Sequence, residues 1–192
     1  MKKHLLILAS LVFGIGQLFA DEAIFDASVL WKKLGGTGEN PQKVTTPYTW
    51  EESPGYVKIT FDSEGEQAVN TTYIPFSKGK SFTVAGTTTG TTISKITFTT
   101  QQKTQIDFVG APSGNYSTDT STGTGIGTWI PEDGKTYSSV TFTTTNSFQV
   151  KTITVEYTPD ENYTPDVPVA AEPLVGPFEA KPIESIASYT GT

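Results

Sequence analysis

The chain has no cysteine and no arginine, and its one histidine is His4. The first absence excludes disulfides, thiolate metal sites and a lipid anchor built on an N-terminal cysteine. The second leaves thirteen lysines as all the basic residues, without the planar guanidinium fork that suits phosphate backbones. At a formal charge of −7, nucleic acid and anionic membrane are poor partners. No run reaches the roughly 18 apolar residues a membrane span requires, so no transmembrane segment is expected.

The N-terminus reads as a signal peptide. Lys2 and Lys3 precede an apolar stretch, Leu5–Ile15, and Ala20 offers a small residue before acidic Asp21. Residues 1–20 are therefore expected to be removed on export to the periplasm, the cell surface or the medium. A cysteine-free exported protein of this size fits a bacterial envelope or secreted protein. Removal takes away Lys2, Lys3 and the only histidine, and moves the formal charge from −7 to −9. Without His or Cys, the mature chain cannot build Ser-His-Asp or Cys-His nucleophilic sites, nor zinc sites on imidazole.

What is present is threonine, the commonest residue, set in short alternating runs. Its β-branch favours extended backbone while its hydroxyl keeps an outward face wet. In DEAIFDASVLWKKLGG, residues Ile24 to Leu34 suit a short helical turn or an edge strand, ended by Gly35-Gly36. Thr37–Trp50, with Pro41 and Pro47, reads as irregular. Strands are expected at Tyr56–Phe61, Tyr73–Phe76 (an edge strand, given Pro75), Ser81–Val84, Ile93–Thr100, Gln105–Val109 and within Tyr137–Tyr157. Asp62–Gln67 reads as a turn, and Gly110–Gly127 as too polar to bury. Many short strands between turn signals predict an all-β, antiparallel β-sandwich of jelly-roll type over residues 21–158. Pro159–Thr192 holds six of the twelve prolines and reads as an extended, Pro-rich C-terminal tail or linker.

Two stretches break strict alternation in the same way. Ile93, Ile96 and Phe98, like Val150, Ile153 and Val155, follow apolar-x-x-apolar-x-apolar. One face can hold all three only if an extra residue is inserted, which predicts β-bulges near Ser94-Lys95 and Lys151-Thr152. Thr145-Asn146-Ser147 then closes a three-residue hairpin, with Phe142 opposite Val150, or forms an arch from one sheet to the other. Both arrangements bury the same residues.

The succession YIPFSKGKSFTVAG, TTISKITFTT, GNYSTDTSTGTGIGTWI and SSVTFTTTNSFQVKTITVEY resembles a recurrent domain of secreted Gram-negative bacterial proteins. That domain is of the galactose-binding-like (discoidin-type) jelly-roll kind, and the resemblance spans Ile24–Tyr157. It implies a two-sheet sandwich used for glycan binding or as a spacer beside other modules, with Trp129 as a core or sheet-end plug. It transfers no set of binding residues.

Candidate site residues come from composition alone. Tyr48, Trp50, Tyr56, Asn115, Tyr116 and Trp129 supply rings, amides and hydroxyls for a sugar, with Trp50 foremost because loops carry function more often than strands. Asp62, Glu64 and Glu66 alternate around Gly65 and are candidate oxygen ligands for a structural Ca²⁺, although they lack EF-hand spacing, and a polar turn is the plainer reading. Asp107, Asp119, Glu132 and Asp133 are the carboxylates a glycosidase would need to pair across a cleft; solvated loop charges explain them more simply. The expectation is a non-catalytic exported binding module, carbohydrate-binding or adhesive, with glycan or another cell-surface protein as partner. The alternatives are a structural spacer of a larger surface protein and, more remotely, a carboxylate-based glycosidase.

Overall fold

The computed structural model describes residues 20–52, 54–102, 106–109, 114–121 and 123–165, without the side chains of residues 109 and 114–116. The residues read as a signal peptide, up to 19, and those beyond 165, read as part of the tail or linker, lie outside it. The elements in order are β1 (Asp21–Asp26), α1 (Ala27–Lys33), β2 (Gln42–Glu51), β3 (Val57–Val69), β4 (Ile74–Phe76), β5 (Ser81–Gly86), β6 (Thr92–Thr100), β7 (Phe108–Val109), β8 (Gly114–Asp119), β9 (Ile126–Pro131), β10 (Ser139–Thr144) and β11 (Phe148–Thr158).

β6 and β11 pair antiparallel in the middle of the larger sheet, and their ladder explains the shared pattern. Val150 pairs with Thr100 and Thr152 with Thr99, leaving Lys151 over; Glu156 pairs with Lys95 and Tyr157 with Ile93, leaving Ser94 over. Each strand carries one bulge, and the second restores the register that the first displaced. Ile93, Ile96, Phe98, Val150, Ile153 and Val155 are thereby all buried, while Ser94 and Lys151 stay exposed.

Around this pair the six-stranded sheet runs β1-β11-β6-β9-β8, with β4 also on β11. The five-stranded sheet runs β2-β3-β5-β10-β7. The two antiparallel sheets form a sandwich, and the chain passes repeatedly from one to the other. Thr145–Ser147 is such a passage. Phe142 pairs with Phe82 in one sheet and Val150 with Thr100 in the other, so the link is an arch and the hairpin pairing does not occur. Between the sheets Phe76, Phe82, Phe98 and Phe142 are buried together, with ring centroids 4.8 to 5.8 Å apart along the chain of contacts.

Four stretches before the C-terminal segment differ from the sequence reading. The opening residues form a strand and a helix in succession: β1 is an edge strand, and Asp26 caps α1 by accepting from the Ser28 amide at 2.7 Å. The segment read as irregular contains β2, an edge strand that tolerates Pro47 where the ladder is interrupted between Thr46 and Tyr48. Asp62–Gln67, read as a turn, continues β3 past that interruption, its charges turned outward. The polar stretch from Gly110 holds β8, because a strand at a sheet edge with one wet face needs few apolar residues.

Register fixes what lies at each end of the sandwich. Asp21 is opposite Tyr157, and Tyr157 opposite Ile93, so the entry of β1 and the exit of β11 share one pole. The same pole holds Pro159–Pro165, expected to be part of a free tail but packed on the domain. Asp160 accepts from Thr88 Oγ1 at 2.9 Å, the Tyr163 ring meets Tyr56 edge-on at 5.9 Å, and Pro165 is buried against Gly55. The opposite pole gathers β4, the end of β6 and the start of β11, where Phe148 pairs with Phe76 and Val150 with both Ile74 and Thr100.

Candidate functional site

At that far pole two open clefts adjoin on the larger sheet. One, of about 230 Å³, is lined by Pro75, Phe76, Ser77, Gln102, Ser147, Phe148 and Gln149. The other, of about 210 Å³, is lined by Thr72, Thr100, Gln101, Thr124 and Lys151. Gln101 and Gln102 form the corner between them, and the Gln101 amide donates to the Gln149 carbonyl at 3.0 Å.

The corner is held from beneath. Buried Thr100 donates its one hydroxyl proton to the Gln102 carbonyl at 2.5 Å, and Oγ1 accepts from the Gly125 amide at 2.7 Å, while the Gly125 carbonyl accepts from the Thr100 amide at 2.8 Å. A buried hydroxyl that bonds one backbone group in each of the two turns fixes both at once. On the opposite wall the Lys78 amide donates to Ser147 Oγ at 3.1 Å, and Thr144 Oγ1 donates to the Ser77 carbonyl at 2.6 Å. The floor is the stacked pair Phe76 and Phe148, with centroids 5.6 Å apart at 14°.

The side-chain amides of Gln102 and Gln149 hydrogen-bond to no other described residue, so two donors and an acceptor on each remain for a ligand. Among the described residues lining the two clefts there is no carboxylate, and Lys151 is the one charged side chain. Such a surface can orient hydroxyl and carbonyl groups.

The residues singled out from sequence lie elsewhere. Trp50 is 2 % exposed, packed edge-on to Phe25 at 5.1 Å, with its Nε1 donating to Glu52 Oε1 at 2.6 Å; it belongs to the core, since β2 turns its even-numbered residues inward. Trp129, on β9, is completely buried beside Tyr137 and Phe142, a core plug rather than a sheet-end one. Tyr48 is half-buried over Phe61, and Tyr56 lies between Tyr157 and Tyr163. Asn115 and Tyr116 stand on β8 opposite Ile130 and Trp129, and their side chains fall outside the described residues.

The carboxylates are similarly dispersed. Asp62 accepts from Thr83 Oγ1 at 2.6 Å, and Glu66 pairs with Lys43 at 2.7 Å, which raises the lysine's pKa. Glu64 is exposed, and its carbonyl accepts from Lys80 Nζ at 3.1 Å. Beside Glu66 a crevice of about 10 Å³ has room for no more than about one water. Among the described residues no three His, Asp or Glu side chains gather as a metal site. Asp107 and Asp119 lie at the far pole, outside both clefts, whereas Glu132 and Asp133 occupy the turn after β9 at the other pole.

Searches of family models, curated proteins and solved structures find no match to the chain.

Proposed function

We propose that the chain is an exported, non-catalytic module of the galactose-binding-like jelly-roll kind that holds a neutral glycan by hydrogen bonds in the far-pole cleft. The observation carrying this reading is the cleft itself: Ser77, Gln102, Ser147 and Gln149 converge over a phenylalanine floor, with no carboxylate among the described lining residues. It opens at the pole opposite the packed entry and exit of the domain, so a tether there leaves it free. Ring-stacking does not contribute among the described residues, and affinity for a single sugar is therefore weak, with Kd on the order of 1 mM.

A second reading, a structural spacer of a larger surface protein, is favoured by a different fact. All three tryptophans are buried, so they serve packing and present no platform. Affinity electrophoresis through a panel of polysaccharides, backed by a glycan array, separates the two. Retardation by at least one neutral polysaccharide, reduced about tenfold in Q102A/Q149A through loss of two amides worth about 0.5–1.5 kcal/mol each, supports binding. No retardation by any polysaccharide leaves the spacer.

A further inference from the structure

Lys151 is the residue left over at the β11 bulge. A bulge re-aims the side chain it carries, and here that side chain lines the second cleft with Thr72, Gln101 and Thr124. Its ammonium has no carboxylate partner among the described residues, where the ion pairs are Lys33–Glu52, Lys43–Glu66 and Lys95–Glu156. The contrast with Lys95 on the same sheet is informative, because that charge is neutralised by Glu156 at 2.7 Å. The acid nearest along the ladder, Asp26 opposite Thr152, accepts from both the amide and the hydroxyl of Ser28.

We infer that the Lys151 cleft takes a carboxylated sugar next to the neutral unit in the Gln102 cleft, so that the ligand is a uronate-containing oligosaccharide. The inference rests on the glycan reading above and adds its chemical class. Each cleft is below the roughly 300–1,000 Å³ of a drug-sized site, a scale that suits one sugar ring, and the two meet at Gln101. A single unpaired ammonium beside hydroxyls and an amide gives a carboxylate one charge-assisted bond. Because the chain as a whole is acidic, at −7, the selection is local to that position and gives no general attraction for polyanions.

The test uses uronate trisaccharides of several sugar types, each beside its methyl ester, titrated into the domain and followed by NMR. The ester keeps every hydroxyl and removes the charge, adding one methyl group whose effect is common to wild type and K151Q. Wild type is expected to bind at least one acid form about threefold to fivefold more tightly than its ester. In K151Q, a substitution at an exposed position, the ratio of acid to ester affinity falls to about one, and that ratio is the readout. Equal affinity for acid and ester in wild type, or a preference surviving in K151Q, overturns the uronate assignment and leaves the neutral-glycan reading standing. Failure of acids and esters alike, together with no retardation in the polysaccharide panel, overturns both.

Discussion

Tyr157 carries a hydroxyl into a place where nothing among the described residues bonds it. The residue is fully buried between the sheets, and burial, then the charge of Asp21 and neighbouring Tyr56, push its pKa up to about 12. An unsatisfied buried hydroxyl costs about 1–3 kcal/mol, so Y157F should leave stability unchanged or raise it by about 1 kcal/mol in urea unfolding. The pH dependence has a definite sign. The folded state holds the phenolic proton more tightly than the unfolded chain, whose pKa is about 10. Stability is therefore full below pH 10 and is lost as pH rises towards 12. The difference between wild type and Y157F should move in favour of the variant across that window. A constant difference from pH 8 to 11.5 would reject the assignment. Tyr157 was legible as an inward residue because it follows Ile153 and Val155 in step. The cleft residues Gln101, Gln102, Ser77 and Ser147 were not, since turn residues obey no periodicity and meet only through pairings between distant strands.

At the scale of elements, the two bulges set apart residues whose deletion is tolerated from those whose deletion is not. Removing Lys151 leaves Val150 inward, Thr152 outward and Ile153 inward, a regular alternation with Thr100 and Thr99 still opposite. Removing Ser94 does the same for Ile93, Lys95 and Ile96. Removing Thr154 from the middle of β11 instead forces either Ile153 or both Val155 and Tyr157 to the wrong face. Each buried apolar side chain so displaced forfeits about 1.5–3 kcal/mol. Deletion of Lys151 or Ser94 should give folded proteins with sharp urea transitions, and deletion of Thr154 should abolish the transition. If all three deletions behave alike by circular dichroism, the bulge account fails. The bulges and most strands from Tyr56 onward were visible because apolar residues there are dense enough to show a period. β2 was missed because Pro47 and the polar Lys43, Thr45 and Thr49 mask an inward set of Val44, Thr46, Tyr48 and Trp50. The continuation of β3 was missed because Asp62, Glu64 and Glu66 on an outward face look like a turn until a partner strand is known.

For the whole molecule, the placement of entry, exit and cleft depends on where the domain ends. Composition puts the boundary at Thr158, yet the chain stays packed to Pro165. A Cβ on Gly90 would collide with the Asp160 carboxylate, and one on Gly55 would press on Pro165 at 3.0 Å, so both glycines are occupied by this clip. The clip also orders Asp160, whose pKa is lowered first by the Asn162 amide and then by the Thr88 hydroxyl. Ending a chain that starts at Asp21 at Thr158 rather than Pro165 should lower stability by about 1–2 kcal/mol at pH 7, from the buried proline and the Tyr163–Tyr56 contact. Because the folded pKa of Asp160 is depressed, its contribution is complete above the unfolded carboxylate value and declines as pH falls below about 4. The gap between the two lengths should therefore begin to narrow as pH falls to 3. Thermal unfolding of both chains at pH 7 and pH 3 measures this directly. Equal stability at pH 7 would return Pro159–Pro165 to the tether, and would leave the cleft's orientation to rest on the β1–β11–β6 register alone.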